Sequence, residues 1–130
     1  MKKILIIEDE PEMRRNIATI LRLEKYQPLT AEHGRMGVEM ALKENPSLIL
    51  CDVMMPELDG FAVCEILRRD PATASIPIMM LTALSSELGR IAGLGSGATD
   101  FVTKPFSPRL LVQRVEDLIH KTAKIAHNPA

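Results

Sequence analysis

The sequence predicts an α/β fold, a parallel sheet with helices on both faces. Three observations predict it. Short continuous apolar runs alternate along the chain with apolar positions at helical spacing. The short runs are apolar throughout, which marks strands covered on both sides, as in parallel sheets. The chain has 130 residues, 46% hydrophobic and 25% charged, enough for one domain with a real core. Strands alternating with helices of this length form right-handed crossovers and one sheet.

The elements follow in order. Ile4–Ile7 is the first strand. Asp9 and Glu10 are candidate caps before Pro11, which suits a first helical turn; Met13, Ile17, Ile20 and Leu21 then share one helix face. A weaker strand fits Gln27–Ala31, and Val38, Ala41 and Leu42 form the second helical stripe. Asn45-Pro46 turns the chain into Leu48–Cys51, the third strand. Pro56 with Asp59-Gly60 is a turn before the stripe Val63, Ile66 and Leu67, and Asp70-Pro71 is the turn after it. Ile76–Leu81 is the fourth strand, Leu88, Ile91 and Ala92 the fourth stripe, and Phe101–Thr103 the fifth strand. Ser107-Pro108 opens the last helix, with Leu111, Val115, Leu118 and Ile119 on its apolar face. Gly93, Gly95 and Gly97 follow a helical pattern, so they read as a helix end and turn rather than a phosphate loop. The methionines, among them Met54, Met55, Met79 and Met80, read as core filling, and His33, His120 and His127 as surface residues.

Charge and composition exclude several classes. With 16 basic and 17 acidic residues the net charge is −1, not the basic excess of a nucleic-acid-binding surface. The apolar runs fall far short of the ~18 residues of a membrane helix. The apolar stretch after Lys2-Lys3 stops at Glu8-Asp9-Glu10, too soon for a signal peptide, so a cytoplasmic location is expected. Cys51 and Cys64 sit in apolar contexts and read as core residues, not a disulfide.

In open α/β sheets ligands bind beyond the carboxyl ends of the strands. Strand one ends at Glu8-Asp9, strand three at Asp52, strand four at Thr82 and strand five at Lys104. Any one of these alone would read as a cap, a turn or a solvated loop residue; together they place three carboxylates, a hydroxyl and an ammonium at one edge. Like charges ~4 Å apart repel by about 4 kcal/mol at an effective dielectric of 20, so the set invites a divalent cation. All the donors are oxygens, which suits Mg²⁺. The same parts stabilise a transferring phosphoryl group, and a carboxylate can be its acceptor.

At these residues the sequence resembles the receiver domains of two-component response regulators, including those of chemotaxis. The matching segments are Ile7-Glu8-Asp9-Glu10, Asp52 to Pro56 with Asp59-Gly60, Leu81-Thr82-Ala83, and Gly97 to Phe101 followed by Lys104-Pro105-Phe106. The resemblance covers Lys2–Lys121 and implies strand order 2-1-3-4-5 with five helices on both faces, a receiver over residues 1–122, and a tail or linker stub over 123–130. It implies that Asp52 takes a phosphoryl group from a sensor histidine kinase or histidine phosphotransfer protein. Glu8, Asp9, Asp52 and the Met54 backbone carbonyl would serve Mg²⁺, with Asp9 a direct ligand and Glu8 often acting through water. Thr82 and Lys104 would contact the phosphoryl oxygens, the Lys104-Pro105 bond is usually cis, and Phe101 stands where the family has its rotating aromatic, often Tyr. The face of fourth helix, fifth strand and fifth helix would meet a target or a second copy. This is signalling chemistry with self-phosphorylation and slow autodephosphorylation, not an enzyme acting on a separate substrate, and the domain itself binds neither nucleic acid nor membrane.

Two rivals are weaker. The haloacid-dehalogenase-like phosphatases place a second Asp two residues past their nucleophile; here that residue is Met54, which moves no proton. An interaction module with a vestigial pocket would not need all five site residues. The output stays open between a stand-alone receiver and a piece of a larger regulator. Receivers joined to winged-helix domains usually carry two acids before the aromatic and a Glu shortly after Ser-Pro-Lys/Arg; this chain has Thr99-Asp100 and Leu110 at those places, though Arg114 still matches. On the first helix, Glu12, Arg15 and Asn16 are candidates to dock the phosphodonor, with Met13 and Ile17 better explained as core.

Overall fold

Five parallel strands form one sheet in the order β2-β1-β3-β4-β5, with β1 at Lys3–Ile7, β2 at Gln27–Ala31, β3 at Leu48–Asp52, β4 at Ile78–Thr82 and β5 at Asp100–Thr103. The computed structural model describes residues 1–83 and 95–126, with residues 122–126 described by backbone alone. Every residue of β3 and β4 is buried, as continuous apolar strands inside a parallel sheet must be. β2 lies at an edge, where Pro28 costs no shared ladder bond. The apolar run from Ile76 enters the ladder only at Ile78, because Pro77 has no N–H to give; its carbonyl still accepts from Ile49 N at 3.0 Å.

Helices α1 (Pro11–Leu23), α2 (Gly34–Glu44), α3 (Gly60–Arg69) and a C-terminal helix (Pro108–Ala126) are the four among the described residues. The predicted stripe Leu88, Ile91 and Ala92 lies outside them, as do Gly93 and His127. Each observed helix starts on a polar cap. Glu10, not Asp9, caps α1, accepting from Met13 N at 2.7 Å and Glu12 N at 3.2 Å. Asp59 accepts from Ala62 N at 2.9 Å, and Ser107 Oγ from Leu110 N at 3.1 Å. His33, read from sequence only as a surface residue, caps α2 by accepting from Met36 N at its Nδ1, 3.2 Å away. The C-terminal helix runs through residues 123–126.

The strands alternate their side chains between two apolar layers. Ile4, Ile6, Leu50, Met79 and Leu81 face α1 and the C-terminal helix through Ile17, Leu21, Leu111 and Val115. Leu5, Ile7, Ile49, Cys51 and Met80 face α2 and α3 through Ala41, Val63 and Leu67. Each such aliphatic, fully buried, stabilises the fold by about 1.5–3 kcal/mol. Cys51 and Cys64 are free and buried, as expected. Two stripes are narrower than their sequence patterns: Leu42 and Ile66 stay 44% and 39% exposed beside the groove between α2 and α3. Met54 is 65% exposed, so core filling does not describe it: it sits in the loop after β3, beyond the sheet.

At the amino edge of the sheet one side chain ties together the segments that lead into β4 and β5. Arg68, in the last turn of α3, donates to Gly97 O at 2.8 Å, Ile76 O at 2.7 Å, Ala74 O at 3.0 Å and Thr99 Oγ1 at 3.3 Å. Thr99 Oγ1 also accepts from Ile78 N at 3.0 Å. Gly97 has φ +100°, and a Cβ there would meet Arg68 Cγ at 2.8 Å, so glycine is required twice over.

Candidate functional site

Parallel register brings the strand ends together. Ile7 pairs with Cys51, so Glu8 comes level with Asp52; Asp52 pairs with Leu81, and Thr82 with Thr103, one residue before Lys104. Gly60, which opens α3, lets that helix start directly under the end of β3: a Cβ there would collide with Asp52 O.

Glu8 and Asp52 are buried, at 0% and 4% exposure, and Lys104 bridges them. Its Nζ stands 3.0 Å from Glu8 Oε1 and 3.2 Å from Asp52 Oδ1. Glu8 Oε2 accepts from Glu10 N at 3.3 Å, and the Glu8 carbonyl accepts from the Arg14 guanidinium at 3.0 Å. Met54 N approaches Asp52 Oδ1 at 3.4 Å. Glu8, Asp9 and Asp52 each offer a carboxylate oxygen, and these oxygens lie within 4.8 Å of one another. Because Glu10 carries the α1 cap, the half-buried Asp9 carboxylate is left to this cluster.

Three carboxylates against one ammonium leave the site short of positive charge. Burial, reinforced by its hydrogen bond to Asp52 and that residue's charge, pushes the Glu8 carboxyl up to about 7 against the pull of Lys104. Burial acts to lower the Lys104 pKa, but the bond to Glu8 and the charges of Asp52 and Glu8 outweigh it and raise it overall. An oxygen-only donor set with excess negative charge fits a hard divalent cation; the residues present fit Mg²⁺.

The remaining predicted residues lie around this centre. Thr82 is buried at 4%, and its carbonyl accepts from Lys104 N at 2.7 Å. The Lys104-Pro105 bond is cis. Phe101 is half-buried and packs against the layer of α2 and α3; its N–H donates to Asp100 Oδ1 at 2.8 Å, while Asp100 Oδ2 accepts from Arg114 at 2.7 Å. Glu12, Arg15 and Asn16 are exposed on α1, and Ile17 is fully buried, as its core reading required. Sequence reasoning missed Arg14, whose acceptor is a backbone carbonyl and leaves no side-chain signal.

A five-stranded 2-1-3-4-5 sheet with acids, a hydroxyl and a lysine at its carboxyl edge defines a flavodoxin-like receiver. The family model for the response regulator receiver domain matches residues 4–116, and the chain belongs to that family. It is 43% identical over 127 residues to the probable transcriptional regulator ycf27 of Porphyra purpurea, a match covering 98% of this chain and 51% of that protein. It is 42% identical over 125 residues to the DNA-binding dual master transcriptional regulator RpaA of Synechocystis, covering 96% of this chain and 52% of that protein. A putative response regulator from Chloroflexus aurantiacus superposes with a TM-score of 0.87 at 34% identity, over 92% of this chain and 98% of that one. The chain thus spans about half the length of the curated relatives it matches. It is a signalling domain of a two-component response regulator. No helix among the described residues is long and apolar enough to cross a membrane.

Proposed function

We propose that Asp52 accepts a phosphoryl group from a phosphohistidine on a sensor histidine kinase or a histidine phosphotransfer protein. The observation that carries this reading is the Lys104 ammonium held between two buried carboxylates at the open edge of the sheet, 3.2 Å from Asp52 and 3.0 Å from Glu8. An Asp52 carboxylate oxygen attacks phosphorus, the nitrogen–phosphorus bond breaks, and its electron pair returns to the donor imidazole. Lys104 follows the negative charge onto the phosphoryl oxygens, and the Thr82 hydroxyl supplies a second donor. Glu8, Asp9, Asp52 and the Met54 backbone carbonyl would hold Mg²⁺, which supplies neutralising charge for the acceptor and the transferred group. With Met54 two residues past the acceptor, no side chain there delivers a proton to a leaving group, which favours a phosphoryl acceptor with slow self-hydrolysis over a phosphatase.

The donor docks on exposed Glu12, Arg15 and Asn16 at the start of α1, beside the carboxyl edge. Thr82 reaches toward the phosphoryl group, Phe101 moves into the space behind it, and the surface of β5 and the neighbouring helices changes for a target or a second copy. The transcriptional role of the relatives supports transcription as the output, in the cytoplasm, through a part of a longer protein rather than through nucleic-acid contact by this domain. Incubation with acetyl phosphate or phosphoramidate and Mg²⁺ should add one base-labile phosphoryl group, read by intact-mass spectrometry. Equal labelling of Asp52→Asn would move the acceptor elsewhere.

A further inference from the structure

Of the three carboxylates at the open edge, Asp9 has the least to hold it. Glu8 accepts from the Lys104 ammonium at 3.0 Å and from Glu10 N at 3.3 Å, and Asp52 meets Lys104 at 3.2 Å. Asp9 is half-buried, and among the described residues no hydrogen bond or ion pair fixes its carboxylate, so the backbone on either side sets where it stands. That backbone is tied to α1 twice. After Asp9, the Glu10 carboxylate caps the helix, 2.7 Å from Met13 N. Before it, the Glu8 carbonyl lies one residue past the last ladder pair, Ile7 with Ala31, and accepts from the half-buried Arg14 guanidinium at 3.0 Å. A helical side chain leans back toward the amino end of its helix, which is how Arg14 reaches a residue six positions earlier. The oxygen it holds belongs to the planar Glu8–Asp9 peptide. Fixing that oxygen fixes the turn of the plane, and with it the direction in which the chain presents Asp9.

We infer that Arg14 is a positioning residue for the cation site: its guanidinium holds the Glu8–Asp9 peptide so that Asp9 stands with Glu8 and Asp52 where a divalent cation binds. This rests on the reading of those three carboxylates as Mg²⁺ ligands. Arg14 acts through the Glu8 carbonyl, not on the cation or the phosphoryl group. A guanidinium at this place can have two effects, and they have opposite signs. As a charge it repels a cation, so removing it would tighten Mg²⁺ binding. As the hydrogen-bond partner behind a ligand it orients that ligand, so removing it weakens binding, by about tenfold or more where such outer partners are lost. The direction of the change therefore tells the two apart.

Calorimetric titration of the full chain with Mg²⁺ tests this. Arg14→Met should bind Mg²⁺ about tenfold more weakly than the wild type, although it has lost a repelling charge. Arg14→Lys keeps the charge and a donor but not the planar fork, and its affinity should fall between the two. Circular dichroism should show both variants folded at the temperature used. In the metal-free protein, NMR should show Arg14→Met moving the Glu8 carbonyl carbon and Asp9 amide resonances. Those of Gly97 and Thr99, held by Arg68 at the amino edge, should stay in place. Labelling by acetyl phosphate should be slow in Arg14→Met at low Mg²⁺ and recover at saturating Mg²⁺, because the lesion lies in the cation site. An unchanged Mg²⁺ affinity in folded Arg14→Met would make Arg14 merely structural, and a tighter one would make it merely a charge; either overturns the inference. So would labelling that stays slow at saturating Mg²⁺, or Glu8 and Asp9 resonances that do not move. A wild type that binds no Mg²⁺ would overturn the metal reading together with this inference, whereas a wild type that binds it and a variant that binds it equally overturn this inference alone.

Discussion

Arg68 and Lys104 each bridge segments far apart in the chain, one at each edge of the sheet, but they bind different kinds of acceptor. Arg68 spends its guanidinium on three backbone carbonyls and one hydroxyl. Those acceptors are neutral and their positions are set by the start of β4 and the turn into β5, so the amino edge is complete and has no reason to change. Lys104 sits between two buried carboxylates with a third beside them. One ammonium cannot balance three charges, so the carboxyl edge is stable only with an added cation, a proton or an exchanged partner. The same sheet therefore has a closed end that holds register and an open end that can do chemistry. The clamp makes the open end usable, because strand ends stay level only if the strands cannot slide.

Breaking the closed end should cost most. Arg68→Met leaves the Ile76 and Gly97 carbonyls without their charged donor and should destabilise the domain by about 2–4 kcal/mol, a loss read from the urea midpoint. The same variant should still be stabilised by Mg²⁺, because its site is at the far edge. Loss of the Mg²⁺ response in folded Arg68→Met would mean that the two edges are not separable.

Removing a carboxylate from the open end should do the reverse. At a Mg²⁺ concentration ten times the dissociation constant, the wild type should gain about 1.4 kcal/mol, seen as a rise in Tm. Asp9→Ala should lose most of that gain while keeping the metal-free Tm near or above the wild-type value, since it removes one of three repelling charges. An unchanged Mg²⁺ response in Asp9→Ala would refute the metal assignment.

The contrast also explains what the sequence made legible. The site residues could be read because a parallel sheet puts every strand's carboxyl end on one edge, so Glu8, Asp9, Asp52, Thr82 and Lys104 needed only correct strand ends. Arg68 could not be read, because its acceptors are mainly backbone carbonyls, up to 29 residues away, and a carbonyl has no residue type to notice. The His33 cap was hidden for a related reason: histidine is not among the side chains that announce a helix start. Leu42 and Ile66 had the right spacing but lie at the margins of their stripes, and Met54 had the right chemistry for a core but a place beyond the last strand residue. Patterns of period report which face is apolar; they do not report how far the neighbouring layer reaches over it.

The open end should also respond to pH. The folded pKa of Glu8, about 7, lies above its ordinary value of 4.5, so the neutral acid is the form the metal-free fold prefers. That contribution is complete below pH 4.5 and is lost as pH rises through about 7. Metal-free stability should therefore fall across this window, by an amount of order 1 kcal/mol because water at the open edge screens part of the cost. Glu8→Gln should flatten the profile. Mg²⁺ binding near pH 6 should release protons, which calorimetry in buffers of different ionisation enthalpy detects. Stability that rises with pH over the same window in chelator would show that Glu8 is ionised at no cost.

The smallest expected effect lies where the open end meets the strand edge. β5 is an edge strand, and its Phe101 packs, half-buried, on the layer of α2 and α3. A tyrosine at this position would carry a hydroxyl that must keep water or find a backbone partner when the ring turns inward, a difference of about 1 kcal/mol at most. Phe101 carries no such group, so in the proposed switch its inward state is less costly even with Asp52 unmodified. A ligand shifts a two-state equilibrium only by its differential affinity for the two states. A receiver whose states are nearly balanced without phosphate thus has a partly pre-set output face and a modest gain on activation. Ring-resolved NMR spectra with and without beryllofluoride, a phosphoryl mimic, should show Phe101 exchanging between two positions in the free protein and settling inward with the mimic. Phe101→Tyr should shift the free protein outward by up to about fivefold in population and so steepen the response. A single outward ring in the free wild type, moving wholly inward with the mimic, would show that the missing hydroxyl does not set the balance and that the switch is as steep as a tyrosine would make it.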